Sequence, residues 1–306
     1  MMKTLRNTIL AIAMLIVCNI DICAQNDIIV GQYIHNQFAI NPAFAGSREG
    51  LTFFAGGRKQ WTDIENTPIS LLLSGHAPLR SNNLVVGGQI WDQKIHQSSS
   101  FGIGAAIGYR FRIGERSWMG MALQPGIAIK KTDWNKVKVI DDGDEIFSEN
   151  TSNTAPLLGF GITIYGQRAF FGISTTSFFV SDDFDKVDAE FSPSDARYIA
   201  TAGVLFGSDQ IKIQPSVMAN YSKQYDMETI GTLTGIWKDF IWIDVAYSSA
   251  KELNIGVAVQ ALPQLRVAYN YSITTGDLSG YNKGSHEISV QYDLVYKVKT
   301  VSRRFF

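Results

Sequence analysis

The 306-residue sequence has little cysteine, no excess of either charge and, beyond its first residues, no long hydrophobic run. The two cysteines, Cys18 and Cys23, lie in a segment that we expect to be removed, which excludes a small secreted domain held by disulfides. The formal net charge of −1 excludes the basic surface typical of nucleic-acid binding. A mean hydropathy of +0.01 is too polar for a bundle of membrane helices, but it is compatible with a barrel whose strands are apolar on one face.

The N-terminus has the pattern of an export signal. Lys3 and Arg6 precede an unbroken apolar run at residues 9–17, which is too short to span a bilayer as a helix. Ala24 is a suitable last residue before a cleavage site. The sequence therefore predicts a signal peptide over residues 1–24.

Alternation of apolar and polar residues dominates the sequence after residue 50. In residues 101–110, for example, the odd positions are Phe, Ile, Ala, Ile and Tyr, while the even positions are Gly, Ala or Arg. Such alternation is typical of half-buried strands, and most segments run for about ten residues, the length that a tilted strand needs to cross a bilayer. Segments begin near residues 51, 69, 84, 101, 117, 156, 168, 196, 211, 228, 239, 252, 264 and 285. We predict an all-β fold, a transmembrane antiparallel β-barrel of about 14 strands of the outer-membrane type, over residues 51–296.

The lengths of the connections predict the orientation of this barrel. Long connections at residues 131–155, 179–195 and 274–284 follow odd-numbered strands, whereas short turns follow even-numbered strands. Outer-membrane barrels have short periplasmic turns and long external loops, so both termini are expected in the periplasm. Aromatic residues near strand ends are interpreted as interfacial girdles: Trp118, Trp134, Trp237, Trp242, Tyr221 and Tyr247.

Two segments flank the predicted barrel. Residues 25–50 do not alternate and are punctuated by Asn41-Pro42 and Gly46, which indicates an ordered, plug-like N-terminal segment at or inside the periplasmic mouth. Residues 297–306 form a predicted periplasmic tail that ends in two arginines and two phenylalanines.

Several of these residues resemble the PorP/SprF family of type IX secretion system membrane proteins. The resemblance is carried by Gln32, Tyr33, Asn36, Asn41-Pro42-Ala43-Phe44-Ala45-Gly46, Arg58-x-Gln60-Trp61, Gly284-Ser285-His286-Glu287-Ile288 and Ser302-Arg303-Arg304-Phe305-Phe306. It implies an outer-membrane barrel that works with a secretion apparatus and, in some organisms, with gliding machinery. The partners it implies are periplasmic ring proteins, a peptidoglycan-binding lipoprotein and the C-terminal domain of a secreted adhesin.

The sequence predicts no catalytic, cofactor or metal site. The four histidines are scattered without ligand spacing, and no Gly-x-Ser-x-Gly elbow is present. The acidic run at residues 141–145 lacks EF-hand spacing and is interpreted as a solvated external loop. The charged residues on the polar strand faces are expected to point into the barrel: Arg58, Arg110, Lys212, Arg266, Glu287 and Asp293. They could line an aqueous channel or fill the lumen, so the sequence does not decide between an open and a plugged barrel.

The leading hypothesis is a non-enzymatic barrel subunit of a type IX secretion or adhesin-anchoring apparatus. The alternatives are a small-solute porin or transporter and a membrane-embedded lipid hydrolase. Arginine and aromatic residues are enriched where protein interfaces hold their binding energy. The candidate partner-binding residues are therefore Asn41, Pro42, Phe44, Gly46, Arg303, Arg304, Phe305 and Phe306.

Overall fold

The chain folds into long antiparallel strands. A computed structural model describes residues 33–48, 50–64, 66–79, 83–134, 150–176, 196–223, 225–276 and 283–294. The strands are β1 (Leu51–Lys59), β2 (Ile69–Pro78), β3 (Leu84–Ile95), β4 (Ser98–Arg112), β5 (Ser117–Thr132), β6 (Thr151–Gly166), β7 (Ala169–Thr176), β8 (Arg197–Val204), β9 (Phe206–Gly207), β10 (Ile211–Ser222), β11 (Tyr225–Trp237), β12 (Ile241–Ser248), β13 (Glu252–Leu262), β14 (Leu265–Thr274) and β15 (Ser285–Leu294). Within these ranges no helix is long and apolar enough to cross a membrane.

The strands close into one barrel. Apart from the two-residue β9, each strand pairs with its neighbours along the chain, and β15 pairs with β1, from Leu51 opposite Leu294 to Lys59 opposite His286. The two-residue β9 continues β8 past Leu205, because both pair with β10. The barrel wall therefore has fourteen strands, as the sequence predicted.

The two faces of the wall have the predicted chemistry. The outward face is apolar, and Ile103, Ile107, Val257 and Val290 are among its exposed side chains. The inward face carries buried Ser, Thr, Asn and Gln together with Arg58, Arg110, Arg266 and Glu287. Since a charge that faces lipid is costly, this division is the one that a bilayer requires.

The two ends of the barrel differ in their connections. One end, here the loop end, carries the connections 60–68, 96–97, 133–150, 177–196, 223–224, 249–251 and 275–284. The other, here the turn end, carries 79–83, 113–116, 167–168, 208–210, 238–240 and 263–264 as well as the start of β1 and the end of β15. The longest connections thus share one end, as expected from the sequence.

Two aromatic predictions are wrong. Trp118 packs against buried apolar residues inside the barrel, with the Arg110 guanidinium 4.8 Å from its ring centroid, and is not part of an interfacial girdle. Trp242 lies inside the barrel, only 3% exposed, with the Arg266 guanidinium 4.0 Å from its ring centroid, and is not part of an interfacial girdle. Trp237, Tyr221 and Tyr247 do face outward near strand ends. The predicted signal peptide (1–24), the acidic run (141–145) and the tail (297–306) lie outside the described residues.

Candidate functional site

The barrel lumen contains a segment of the chain itself. Residues 33–48, here the plug segment, precede β1 and contain two short 3-10 turns, Gln37–Ala39 and Pro42–Phe44. Asn41 caps the second turn, since its Oδ1 accepts a hydrogen bond from the Ala43 backbone N–H at 2.9 Å, and Pro42 at the first helical position has no N–H to satisfy. The sequence Asn-Pro therefore fixes the local shape of the plug segment.

Aromatic side chains anchor the plug segment against one side of the wall. Phe44 is 1% exposed and packs on Tyr165 of β6 and Phe170 of β7, with ring centroids 6.2 and 6.1 Å away. Phe38 is equally buried and lies 5.1 Å from the His76 ring of β2. They belong to one apolar cluster inside the barrel, which also includes wall residues Val85, Ala106, Ile199, Met218, Ile230 and Ala246.

Strands β6 and β7 also bind the plug segment through polar contacts with its backbone and amide groups. The Asn41 Nδ2 amide donates to the carbonyl oxygens of Ile162 and Ile173, each at 3.3 Å. The Ser174 hydroxyl donates to the Ile40 carbonyl at 2.6 Å. Gly161 on β6 has no side chain where the Asn41 amide lies, and a Cβ there would overlap it. Close approach of the segment to this wall therefore requires glycine.

A second group of polar contacts ties the start of the plug segment to other strands. His35 Nε2 lies 2.7 Å from Asp244 Oδ2 on β12, and the second Asp244 oxygen accepts a hydrogen bond from Thr234. The Asn36 amide donates to the Ser74 hydroxyl at 3.1 Å. The Tyr33 hydroxyl lies 3.2 Å from Ser216 Oγ, and burial raises the pKa of the Tyr33 phenol above its ordinary value.

The end of the plug segment is held at the approach to β1. Gly46 adopts a positive φ of 63°, which glycine tolerates, and its N–H donates to His76 Nδ1 at 3.0 Å. The Arg110 guanidinium donates to the Gly46 carbonyl. Arg48 forms an ion pair of 3.0 Å with Asp293 near the end of β15. The segment is thus bound to β2, β4, β6, β7, β10, β12 and β15.

The predicted partner-binding residues divide into two sets. Asn41, Pro42, Phe44 and Gly46 come together inside the lumen, and all four residues are buried there. Arg303, Arg304, Phe305 and Phe306 lie outside the described residues. Binding of a partner stays a prediction for both sets, and for the first set it requires the plug segment to leave the lumen.

Sequence reasoning missed the wall residues that receive the plug segment. Ser74, Asp244 and Ser174 sit on the polar faces of strands separated by up to 170 positions in sequence, and only barrel closure makes them neighbours of one segment. The available signal was the glycines on the inward faces of β5, β6 and β7: Gly120, Gly161 and Gly172 all lie against plug residues.

Two of the other inward charges form ion pairs. Arg58 forms an ion pair with Glu252 at 2.7 Å, and Lys212 pairs with Asp239 at 2.6 Å. Among the described residues, no group of three or more His, Cys, Asp or Glu side chains is arranged to hold a metal ion.

Comparison with known proteins agrees with this architecture. The family model for the type IX secretion system membrane protein PorP/SprF matches residues 22–292. The chain belongs to the PorP/SprF family. This PorP/SprF member is therefore a membrane barrel of the type IX secretion system, and its place is the outer membrane. No curated protein matches its sequence.

Several solved structures resemble this PorP/SprF protein in fold at low sequence identity. The CymD monoaromatic hydrocarbon channel superposes with a TM-score of 0.50 at 13% identity, covering 89% of this chain and 95% of CymD. The toluene transporter TodX of P. putida has a TM-score of 0.49 at 9% identity, with 88% and 95% covered. The Ralstonia pickettii toluene transporter TbuX has a TM-score of 0.49 at 9% identity, with 89% and 96% covered. At these identities the likeness to CymD concerns the barrel fold alone.

Proposed function

We propose that this PorP/SprF protein serves type IX secretion as a plugged, non-enzymatic barrel that acts through protein–protein contacts. The observation that carries the proposal is the plug segment, which occupies the lumen and is bound by strands around the barrel. A solute pore needs a continuous aqueous path, whereas a plugged barrel presents its ends to other proteins.

The proposed orientation places the turn end and both termini in the periplasm. Short connections gather at the turn end, and the chain enters β1 and leaves β15 there. In outer-membrane barrels the short turns are periplasmic. Residues that precede the plug segment and residues that follow β15 would then meet the periplasmic parts of the secretion apparatus.

The partners we propose at that end are periplasmic ring proteins and a peptidoglycan-binding lipoprotein, or the C-terminal domain of a secreted adhesin. The tail offers two cations beside two aromatics in Arg303–Phe306, residue types that often dominate binding energy at interfaces. The residues Asn41, Pro42, Phe44 and Gly46 would contact a partner only in a state where the plug segment has left the lumen.

Partner capture tests the tail. The full chain and a variant lacking residues 302–306 would be purified from outer membranes, and the proteins that accompany each would be identified by mass spectrometry. We expect the truncated barrel to remain in the membrane and to keep its heat-modifiable migration, while the accompanying secretion component is lost. If the truncated chain fails to insert, the terminal aromatics serve barrel assembly instead.

Conductance in planar bilayers tests the alternative, a small-solute porin. A barrel closed by its plug segment should give no steady open current. Large and stable currents from the unmodified protein would favour the porin and contradict the proposal.

A further inference from the structure

The outward face of the barrel carries a row of basic residues at its loop end. Register pairs connect one position on each strand in turn: Tyr271 opposite His286, His286 opposite Lys59, Lys59 opposite Ile69, Ile69 opposite Lys94, Lys94 opposite Ser99, and Ser99 opposite Lys131. Lys59, Lys94 and Lys131, here the lysine row, are all exposed. Each lies at or next to the end of its strand, so the row follows the edge of the membrane-spanning wall.

The spacing of the lysine row is regular. Lys59 and Lys94 are separated by one intervening strand, and so are Lys94 and Lys131. Because neighbouring strands lie about 4.8 Å apart, the Cα atoms of successive lysines in the row are about 10 Å from one another along the wall. Their flexible stems allow two ammonium groups to converge on one multivalent anion.

The face directly below the lysine row is strongly apolar. Phe53, Leu71, Leu73 and Ile288, on β1, β2 and β15, are about half exposed on the outward face. Hydrocarbon covers such a surface in a membrane. Cations at the edge of an apolar band fit a ligand that has anionic groups above acyl chains.

A cleft extends this site on the loop-end side. Thr62 and Asn66, which lie between β1 and β2, border a cleft of about 480 Å³ that is also lined by Lys59, Lys94 and His96. Asp63 also lines it, and its Oδ1 accepts the Lys283 backbone N–H at 2.8 Å. Asp92 lies two residues before Lys94 on the same outward face. Every position in the row itself is basic or uncharged. An anion that approaches the cleft from the side of the strands therefore meets no negative charge in the row.

The rest of the loop end has a different character. On the opposite sector of the wall, the exposed outward residues near the loop end include three tyrosines, Tyr198, Tyr221 and Tyr247. Tyrosine is the ordinary residue of a membrane interface. The lysine row is therefore a local feature of β1–β5 and is not a property of the whole circumference.

We propose that the lysine row and the adjacent cleft bind the phosphate groups of a phosphorylated glycolipid in the outer leaflet. The ammonium groups of Lys59, Lys94 and Lys131 pair with the phosphates, and the acyl chains lie on the apolar face of β1, β2 and β15. The assignment to the outer leaflet rests on the orientation proposed above. Binding itself depends only on the geometry of this face.

Purified full-length protein in lipid nanodiscs tests the proposal. The nanodiscs would contain phosphatidylcholine with a small fraction of bisphosphorylated lipid A, and in parallel its dephosphorylated form, and bound glycolipid would be counted by native mass spectrometry. We expect enrichment of the bisphosphorylated form and a loss on the order of tenfold in the Lys59→Gln/Lys94→Gln variant, since each interfacial cation contributes appreciably to anionic lipid binding. The control is Lys223→Gln/Lys251→Gln, which removes two lysines from turns at the same end but outside the row.

Three results would overturn the proposal. The first is equal glycolipid binding by the row variant and the control, and the second is equal binding of the phosphorylated and dephosphorylated lipids. The third is a row variant that loses binding to a soluble acidic polysaccharide while its glycolipid binding is unchanged. Both leaflets of the nanodisc carry the glycolipid, so a negative result is independent of the orientation in the cell and of the secretion role. Heat-modifiable migration of each variant shows that its barrel is intact.

Discussion

Removal of the Phe44 side chain should release the plug segment without unfolding the barrel. Phe44 is 1% exposed, and its ring contacts Tyr165 and Phe170 of the wall. Truncating a buried phenylalanine to alanine costs about 3–5 kcal/mol, because transfer energy is lost and a cavity remains. Here that cost falls on the contact between plug segment and wall, since no ladder hydrogen bond of the barrel involves Phe44. At about 1.4 kcal/mol per factor of ten, Phe44→Ala should shift the equilibrium towards the released state by roughly two to three and a half orders of magnitude.

Cysteine labelling measures this shift directly. Ser74 is buried in the lumen under Asn36, and Ser74→Cys would give the processed chain its only thiol if residues 1–24 are cleaved as predicted. We expect a maleimide to label this thiol far faster in the Phe44→Ala background, and planar bilayers to show new open currents. The matched control is Phe171→Ala, which removes a phenylalanine that faces lipid on the same strand as Phe170 and should leave labelling unchanged.

Two outcomes would refute this reasoning. Unchanged labelling and conductance in Phe44→Ala, with the barrel still heat-modifiable, would mean that the apolar contact does not retain the plug segment. An equal effect of Phe171→Ala would mean that the wall, and not the plug contact, controls access to the lumen.

Three further predictions address the wall, the plug contact and the orientation. Val257→Arg should destabilise the barrel by about 2–4 kcal/mol if Val257 lies near the bilayer midplane, whereas Leu262→Arg at the strand end should cost about 0–1 kcal/mol. Urea unfolding in lipid vesicles measures both free energies, and equal costs would contradict the proposed depth of Val257. Gly161→Ala should raise the labelling rate because a Cβ there overlaps the plug segment, whereas Gly235→Ala has room for its methyl group and should not. An epitope inserted at Gly143 should be detected on intact cells, and detection only after permeabilisation would invert the orientation.

The barrel could be predicted from sequence because its signal is local and repeated. Each strand shows its own period-2 pattern, so the predicted starts at residues 51, 69, 84, 117, 211, 252 and 285 coincide with observed strand starts. The alternation predicts that β6 starts near residue 156, but the strand begins at Thr151. The five extra residues do not alternate in hydrophobicity, because this part of the strand extends beyond the apolar band. Hydrophobic pattern marks the lipid-covered part of a strand better than its hydrogen-bonded length.

The interior could be predicted only in part, because its contacts are not local. The sequence identified Asn41, Pro42 and Gly46 through their turn chemistry, and that chemistry is what shapes the plug segment. It could not indicate that His35 would meet Asp244, 209 positions later in the chain. The girdle prediction fails at Trp242 and Trp118 for a similar reason, since an aromatic residue near a strand end can face lipid or stack under an inward cation such as Arg266 or Arg110.

The plug segment is held by two kinds of contact that respond differently to release. Its polar anchors, His35 with Asp244 and Arg48 with Asp293, would exchange their partners for water in an emptied lumen, so that their net contribution to retention is modest. The apolar anchors Phe38 and Phe44 would instead expose their rings and those of the wall to that water. The polar contacts therefore determine where the segment sits, while the apolar contacts contribute most of the free energy that keeps it there. A partner that releases the plug segment must accordingly offer an apolar surface to Phe38 and Phe44, since a charged partner would replace only the contacts that water can already replace.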